Sequence, residues 1–299
     1  MDLISKTEQE KSVNKQREYY ISKSNDFIQL VRNTHDLREL RLLLTLISKI
    51  KPEDAPDTEY LISVMEFGRL CGCEQNYTVI KKIITRLGMP FWMKNLYGNG
   101  DDYMLFWFRH AIYNDKRGSI RFVFNETVRP FLFELKNRFT RYPLLYILPM
   151  RSGYSVKLYE LLKCVIEETP QQPSRKYDLE RLKELLGATT YKTWHDFKRR
   201  VLEPALGELN SREMLGEVNI YSDIKVIYRT EKESKKIKNI AFHVMKKSPD
   251  ELEIIKQKDQ WILDGELLRD SEVKHYIPGQ MCMEDYFGDD VIFLGENKE

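Results

Sequence analysis

The most constraining feature of this chain is that one order of predicted elements occurs twice: helix, strand, short helix, longer helix and hairpin. From the start of the first helix to the start of the longer helix there are 40 residues in the first half (36 to 76) and 39 in the second (152 to 191). This is the element order of a winged helix-turn-helix module. The sequence therefore predicts an α+β fold with two tandem winged helix-turn-helix modules and a C-terminal acidic extension. Two unrelated α+β domains of similar length are the alternative.

The elements follow from hydrophobic periodicity and from helix and turn signals. In the first half, the pattern predicts helices at Asp36–Ile50, Glu66–Leu70 and Asn76–Gly88, and strands at Tyr60–Met65, Phe91–Leu96, Tyr103–Tyr113 and Ser119–Phe124. A connecting helix is expected at Glu126–Arg138. In the second half, it predicts helices at Ser152–Glu168, Asp178–Leu186 and Tyr191–Asn210, and strands at Val218–Arg229 and Ile237–Met245.

These elements divide the chain into four parts. Residues 1–24 are polar and without periodicity, which predicts a flexible arm. The first module is expected at 25–140, the second at 141–248, and the acidic extension at 249–299.

The net charge of +2 hides an uneven distribution along the chain. Residues 1–249 hold 43 basic and 32 acidic residues, whereas residues 250–299 hold 5 and 14. A body of net charge +11 followed by a segment of −9 indicates a polyanionic partner for the body.

Several function classes are excluded by what the sequence lacks. The longest nearly pure apolar run, 142–150, is too short to span a membrane, and no secretion signal is recognisable at the start, so a cytoplasmic location is expected. The four cysteines are scattered, which favours reduced thiols over a zinc site. No glycine precedes a lysine as in a phosphate-binding loop, and the five histidines occur singly. We expect no catalytic site, no metal and no cofactor.

The segment Tyr191–Asn210 carries the strongest signal for DNA binding. A helical projection places Trp194, Phe197, Val201 and Ala205 on one side. The opposite side and its flanks carry the candidate DNA-contacting residues Lys192, His195, Lys198, Arg199 and Arg200. Arginine and lysine at the N-terminal part of such a helix can reach base edges in the major groove. The alternative interpretation is an ordinary solvated basic stripe.

A second basic cluster supports the DNA-binding interpretation. Five cations occur within ten residues around the expected hairpin turn: Arg229, Lys232, Lys235, Lys236 and Lys238. At a wing tip they would contact phosphates and supply affinity that does not depend on sequence.

Aromatic residues are frequent in the first half, namely Phe91, Trp92, Tyr103, Phe106, Trp107 and Phe108. They could stack on single-stranded bases. A sheet that packs on helices also requires aromatic residues at alternate positions, and the sequence favours this core role.

Three stretches resemble the initiator Rep proteins of theta-replicating plasmids, which are built from two tandem winged helices and bind repeated origin sequences called iterons. These stretches are FTRYPLLYILPMRSGYSVKLYELLK (Phe139–Lys163), YDLERLKELLG (Tyr177–Gly187) and YKTWHDFKRRVLEPALGELN (Tyr191–Asn210). With the flanking pattern, the resemblance covers about residues 25–248.

The resemblance implies that the third helix of the second module reads iterons, which maps to Lys192, His195, Lys198, Arg199 and Arg200 here. The corresponding helix of the first module carries Lys81, Lys82 and Arg86, and the resemblance implies additional DNA contacts and a part in dimer formation for this half. The extension 249–299 lies outside the shared region.

These observations lead to a non-enzymatic plasmid replication initiator as the first hypothesis. It would bind repeated duplex origin sequences, help to open the origin, recruit host helicase, and repress its own gene as a homodimer. The alternative is a dedicated transcriptional regulator with two winged helices, and a third hypothesis is a DNA-processing enzyme. The acidic extension is expected to lie over the wing or the recognition helix and to compete with DNA.

Overall fold

The computed structural model describes most of the predicted body of the chain. The described residues are 19–71, 77–96, 99–114, 118–133, 135–171, 173–210, 213–214, 217–218 and 222–252. Most of the predicted arm, residues 1–18, most of the extension, residues 253–299, and the predicted helix start at Asn76 lie outside them.

The first module contains helices packed on one three-stranded sheet. Its helices are α1 (Asn25–Leu30), α2 (Leu37–Ile47), α3 (Val64–Cys71) and α4 (Tyr77–Leu87). Its strands are β1 (Tyr20–Ser24), β2 (Tyr60–Ser63), β3 (Phe91–Lys94), β4 (Asp102–Leu105), β5 (Phe108–Asn114), β6 (Ser119–Phe124) and β7 (Phe139–Pro143). The order in the three-stranded sheet is β2-β6-β5, and β3 pairs with β4 in a separate hairpin.

The second module repeats this arrangement. Its elements are α5 (Gly153–Glu168), β8 (Ser174–Asp178), α6 (Leu179–Leu186), α7 (Trp194–Phe197), a π-helical turn (Lys198–Leu202), α8 (Glu203–Asn210), β9 (Glu213–Met214), β10 (Glu217–Val218), β11 (Ile224–Glu233) and β12 (Lys236–Lys246). The order in its three-stranded sheet is β11-β12-β8. In the first module β2, which lies between α2 and α3, pairs with β6, and in the second module β8, which lies between α5 and α6, pairs with β12; β6 and β12 are each the last strand of a hairpin. This shared topology confirms two tandem winged helices.

Local sequence signals explain where the helices begin and end. Asp36 caps α2 and forms a capping box with Glu39, Ser152 caps α5, and Asp178 caps α6. Gly187 ends α6 with a φ of 75°. A Cβ atom at Gly187 would lie 2.3 Å from the backbone oxygen of Asn33, so this close approach also requires glycine.

The hydrophobic core is continuous through both modules. Helix α5 lies near its centre, with twelve of its sixteen residues buried. The aromatic residues Phe91, Trp107 and Phe108 are buried in the core, as the sequence predicts, whereas Trp92 is exposed. Cys164 is a free, buried thiol. Among the described helices, none is long and apolar enough to cross a membrane.

The prediction of a flexible arm up to residue 24 is wrong for residues 20–24, which form β1. This strand pairs with β7, from Tyr20 opposite Pro143 to Ser24 opposite Phe139. Its inward residues Ile21 and Lys23 are buried. Strand β7 also crosses the predicted module boundary between residues 140 and 141.

Other segments also differ from the prediction. The long strand expected at Val218–Arg229 is β11 at Ile224–Glu233, and the helix expected from Tyr191 begins at Trp194. The expected helix Glu126–Arg138 is a short 3₁₀ helix, Glu126–Phe131, because Pro130 cannot donate the backbone hydrogen bond that a longer α-helix needs. The expected strand Tyr103–Tyr113 is interrupted at 106–107 and forms β4 and β5. The predicted helix Ser152–Glu168 agrees with α5 within one residue.

A buried ionic cluster joins β1 and β7 to α5. Lys23 Nζ lies 2.6 Å from Glu160 Oε1, and the Tyr142 hydroxyl donates to the same carboxylate oxygen. Lys157 Nζ donates to the backbone oxygen of Ile28 at 2.7 Å. Burial raises the pKa of Glu160, but the charges of Lys23 and Lys157 and the hydrogen bonds from Lys23 and Tyr142 outweigh it and lower that pKa. The N-terminal strand is therefore held to the central helix by paired charges.

Candidate nucleic-acid interface

The candidate recognition helix is residues 194–210, formed by α7, the π-helical turn and α8. It begins at Thr193, whose hydroxyl accepts a hydrogen bond from the Asp196 backbone N–H at 3.1 Å. The Thr193 hydroxyl also donates to Asp196 Oδ2 at 2.6 Å. These bonds satisfy the Asp196 backbone N–H and the Thr193 hydroxyl, and so stabilise the first turn of the helix.

One side of the recognition helix is buried in the core. Phe197, Val201 and Ala205 are almost fully buried, as the helical projection predicts. Trp194 is half-buried, with its ring centroid 6.2 Å from that of Phe197. The opposite side is consequently the one that can meet a ligand.

That opposite side carries the predicted basic residues in its N-terminal half. His195, Arg199 and Arg200 are exposed on the helix, and Lys192, also exposed, lies just before its cap Thr193. Lys198 is half-buried, and its Nζ lies 3.3 Å from Glu203 Oε1. The structure thus brings the basic residues predicted on this helix together on one solvent-facing surface.

Lys198, Arg199 and Arg200 belong to a π-helical turn, Lys198–Leu202. The Glu203 N–H donates to the Lys198 carbonyl, five residues back. Pro204 follows; it has no N–H, and its ring would clash with the carbonyl of Arg200 in a regular α-helix, so the wider turn removes the clash. This turn was not predicted, although Pro204 inside a helical pattern is the signal for it.

Two polar residues anchor elements of the second module: Asn210 fixes the end of the recognition helix to β11, and Asp223, just before β11, binds to α5. The Asn210 side chain donates to the Val226 carbonyl at 2.7 Å and accepts from the Val226 N–H at 2.6 Å. Asp223 receives hydrogen bonds from Tyr159 at 3.0 Å and from Lys163 at 2.6 Å. Both contacts join residues distant in sequence, so no local pattern could reveal them.

The wing is the hairpin of β11 and β12. Glu233 pairs with Lys236, which leaves a two-residue turn at Ser234 and Lys235, with a φ of 57° at Ser234. The tip is basic and exposed at Lys232, Lys235, Lys236 and Lys238. Lys238 Nζ lies 2.7 Å from Glu233 Oε2, and this hydrogen bond raises the pKa of Lys238. The predicted cluster therefore occupies the wing tip, except for Arg229.

Arg229 lies on a different surface. It is directly opposite Ala241 in the ladder, and Ala241 is opposite Lys176 of β8. The alternate residues Ile224, Val226 and Phe242 are buried against the helices, so Arg229 and Lys176 point away from them, on the outer face of the sheet.

The basic residues of α4 have different surroundings. Lys82 is exposed. Lys81 Nζ lies 4.6 Å from the ring centroid of Tyr113. Arg86 is paired with the start of α2, with Nε 2.7 Å from Glu39 Oε1 and Nη1 3.4 Å from Asp36 Oδ2. The three residues share one helix, but Arg86 already bridges α4 to α2.

In the part of the chain that the structure describes, no group of three or more His, Cys, Asp or Glu side chains is arranged to hold a metal ion.

Comparison with protein families decides what the two modules are. The family model described as initiator replication protein WH1 matches residues 20–163, and the model described as initiator Rep protein WH2 matches residues 178–244. The chain belongs to the initiator replication protein family. The WH1 match covers the first module and most of α5, and the WH2 match contains the recognition helix and the wing tip. We therefore call the first module the WH1 domain and the second the WH2 domain. The WH1 match begins at residue 20, where β1 also begins.

The fold is similar to that of the solved Pi initiator protein. The crystal structure of Pi initiator protein in complex with iteron DNA matches with a TM-score of 0.61 at 20% identity, over 78% of this chain and 99% of that chain. Domains 2 and 3 of RctB match with a TM-score of 0.39 at 11% identity, over 74% of this chain and 81% of that chain. No curated protein sequence matches this chain.

Proposed function

We propose that this chain is a plasmid replication initiator that binds repeated duplex origin sequences mainly through its WH2 domain. The observation that supports this function is the exposed surface of His195, Arg199 and Arg200 on a helix whose opposite side is buried, together with the exposed Lys192 just before its cap. Arginine offers bidentate hydrogen bonds to guanine in the major groove, and each such contact contributes roughly 1–3 kcal/mol of base discrimination.

The wing tip supplies the second part of the interaction. Lys232, Lys235, Lys236 and Lys238 would neutralise phosphates beside the groove, which increases affinity for every sequence and makes it salt-dependent. On the WH1 domain, Lys82 and Lys81 provide further phosphate contacts.

We further propose that the bound protein promotes opening of the origin and recruits host helicase without catalysing a reaction itself. It acts in the cytoplasm, and its dimer represses its own gene. The membership in the initiator replication protein family supports this role.

Selection from random duplexes tests the proposal. The full chain is mixed with a library of randomised double-stranded DNA, and the retained duplexes are sequenced. We expect one motif that occurs as direct repeats beside the reading frame of this protein. A single palindrome without direct repeats would instead indicate a dedicated transcriptional regulator, and retention without any motif would contradict specific recognition.

A further inference from the structure

The outer face of the WH2 sheet carries an apolar pair that is exposed to solvent. Ile227 is 59% exposed and Met245 is 37% exposed. Lys225 is directly opposite Met245, and Ile227 is directly opposite His243, so the two apolar side chains are diagonal neighbours on one face. Single exposed apolar residues are ordinary, but an adjacent pair on one sheet face is a feature that a partner segment would cover.

Cations surround this pair. Lys225 and Arg229 flank Ile227 on the same face of β11, and Lys176 lies further along the face on β8. Lys176 Nζ is 3.3 Å from Glu231 Oε2 on the same face. A segment that covers the outer face should therefore combine apolar residues with carboxylates. We define the outer WH2 face as Lys176, Lys225, Ile227, Arg229 and Met245.

The chain itself turns toward this face after β12. Lys247 is buried, with its N–H donating to the Asp223 carbonyl at 2.9 Å and its Nζ donating to the Leu209 carbonyl at 2.8 Å. These bonds fix the point at which the acidic extension leaves the domain.

The first turn of the extension already contacts the outer WH2 face. Ser248 begins the turn, and the Leu252 N–H donates to its carbonyl at 3.1 Å. Glu251 Oε1 lies 2.6 Å from Lys225 Nζ. Hydrogen bonds from Lys225 and from Ser248 lower the pKa of Glu251 to about 2. The Glu251–Lys225 ion pair thus holds residues 249–252 beside Ile227 and Met245.

The remaining 47 residues have the composition that this face requires. Residues 253–299 hold 12 acidic and 5 basic residues, a net charge of −7. The first part, 253–268, contains the apolar residues Ile254, Ile255, Trp261 and Ile262, four carboxylates at 253, 259, 264 and 266, and two lysines at 256 and 258, which leaves a net charge of −2. It follows directly on the turn that is bound to Lys225.

We propose that residues 253–268 dock on the outer WH2 face of their own chain. Their apolar side chains cover Ile227 and Met245, and their carboxylates approach Lys225, Arg229 and Lys176. This location differs from the wing or recognition helix that charge alone suggested, because the Glu251–Lys225 pair directs the extension to the face of the sheet that points away from the helices.

Zero-length carbodiimide crosslinking of the full chain tests the proposal, since it joins carboxylates to lysines in direct contact. Equal amounts of ¹⁵N-labelled and unlabelled protein are mixed, crosslinked without DNA and analysed by mass spectrometry. We expect crosslinks from the carboxylates of 253–268 to Lys225 and Lys176, within single isotopic species. Crosslinks mainly to Lys235, Lys236 or Lys192 would overturn the proposal, and so would crosslinks that join the two isotopic species.

A pair of matched variants tests the role of the apolar residues. Ile227→Asp replaces an apolar side chain on the outer WH2 face, and Leu61→Asp does the same at a 54% exposed strand position of WH1. Losing this apolar contact should reduce the 253–268 crosslinks about fivefold in Ile227→Asp, whereas Leu61→Asp should leave them unchanged. Thermal unfolding confirms that both variants are folded. Equal crosslinking in the two variants would contradict docking on this face.

Discussion

Replacing Arg199 tests base recognition most directly. Its side chain is exposed on the recognition helix, on the side opposite the buried Val201 and Phe197, so its loss should not disturb the core. Arg199→Ala should weaken binding to the selected repeat by about 1–3 kcal/mol and leave unfolding unchanged. Fluorescence anisotropy with the repeat and with a scrambled duplex measures the effect.

The matched control is Arg109→Ala, which removes an exposed arginine from β5 of the WH1 domain. It should leave the preference between repeat and scrambled duplex unchanged. If Arg199→Ala also preserves that preference, Arg199 does not read a base.

Glu208 gives the fold a pH dependence. Burial raises the pKa of its carboxyl to about 7, and Oε2 accepts a hydrogen bond from the Arg151 N–H at 2.9 Å. Because the folded pKa is above the unfolded value of 4.5, the protein loses stability as the pH rises toward and through about 7. Glu208→Gln cannot ionise, so between pH 5.5 and pH 8 its stability should rise relative to wild type by about 2 kcal/mol.

Urea unfolding of both proteins at the two pH values measures this difference. Glu203→Gln, five residues earlier in α8, controls for the loss of a helix carboxylate. A difference between wild type and Glu208→Gln that does not change with pH would show that folding does not raise the pKa of Glu208.

At the scale of single elements, the wing tip should act on all DNA sequences alike. Replacing Lys235 and Lys236 together with alanine removes two exposed cations from the tip of the β11–β12 hairpin. Affinity should fall for the repeat and for random duplex, and the slope of log K against log salt should flatten by roughly 2 units. Titrations at several salt concentrations measure both quantities. A loss of base discrimination with an unchanged slope would place the wing away from the phosphates.

Elements with strong local signals could be predicted from the sequence, and elements that depend on distant partners could not. Helices α5 and α6 were predicted because Ser152, Asp178 and Gly187 mark their ends and their apolar residues recur at helical spacing. Strand β1 was missed because five mostly polar residues show no pattern until β7, far along the chain, pairs with them.

The same distinction applies to the candidate site. The solvent-facing side of the recognition helix follows from periodicity, so Arg199 and Arg200 could be located from the sequence. The position of Arg229 could not, because the turn of the hairpin lies at 234–235 and places Arg229 well inside β11, on the outer face. The pairing of Arg86 with Glu39 joins two helices and was equally invisible.

At the scale of the whole molecule, the ionic cluster at Lys23 and Glu160 joins the N-terminal strand to the central helix. Lys23→Met should lower the free energy of unfolding by about 3 kcal/mol, since it leaves the buried Glu160 carboxylate without its nearest cation. The double variant Lys23→Met with Glu160→Leu removes both charges and should recover most of this loss. Chemical denaturation measures both variants. Equal stability of Lys23→Met and wild type would show that the pair does not hold β1 in place.

Maintenance of an origin-dependent DNA circle tests the central claim most directly. The circle carries the gene of this protein, its native flanking sequence and a selectable marker, and has no other origin. We predict that host cells maintain the circle, that deleting the direct repeats abolishes maintenance, and that Arg199→Ala in the encoded protein reduces it. Failure to maintain the circle while the protein still binds its flanking DNA and changes transcription of its gene would contradict the account and identify a dedicated regulator.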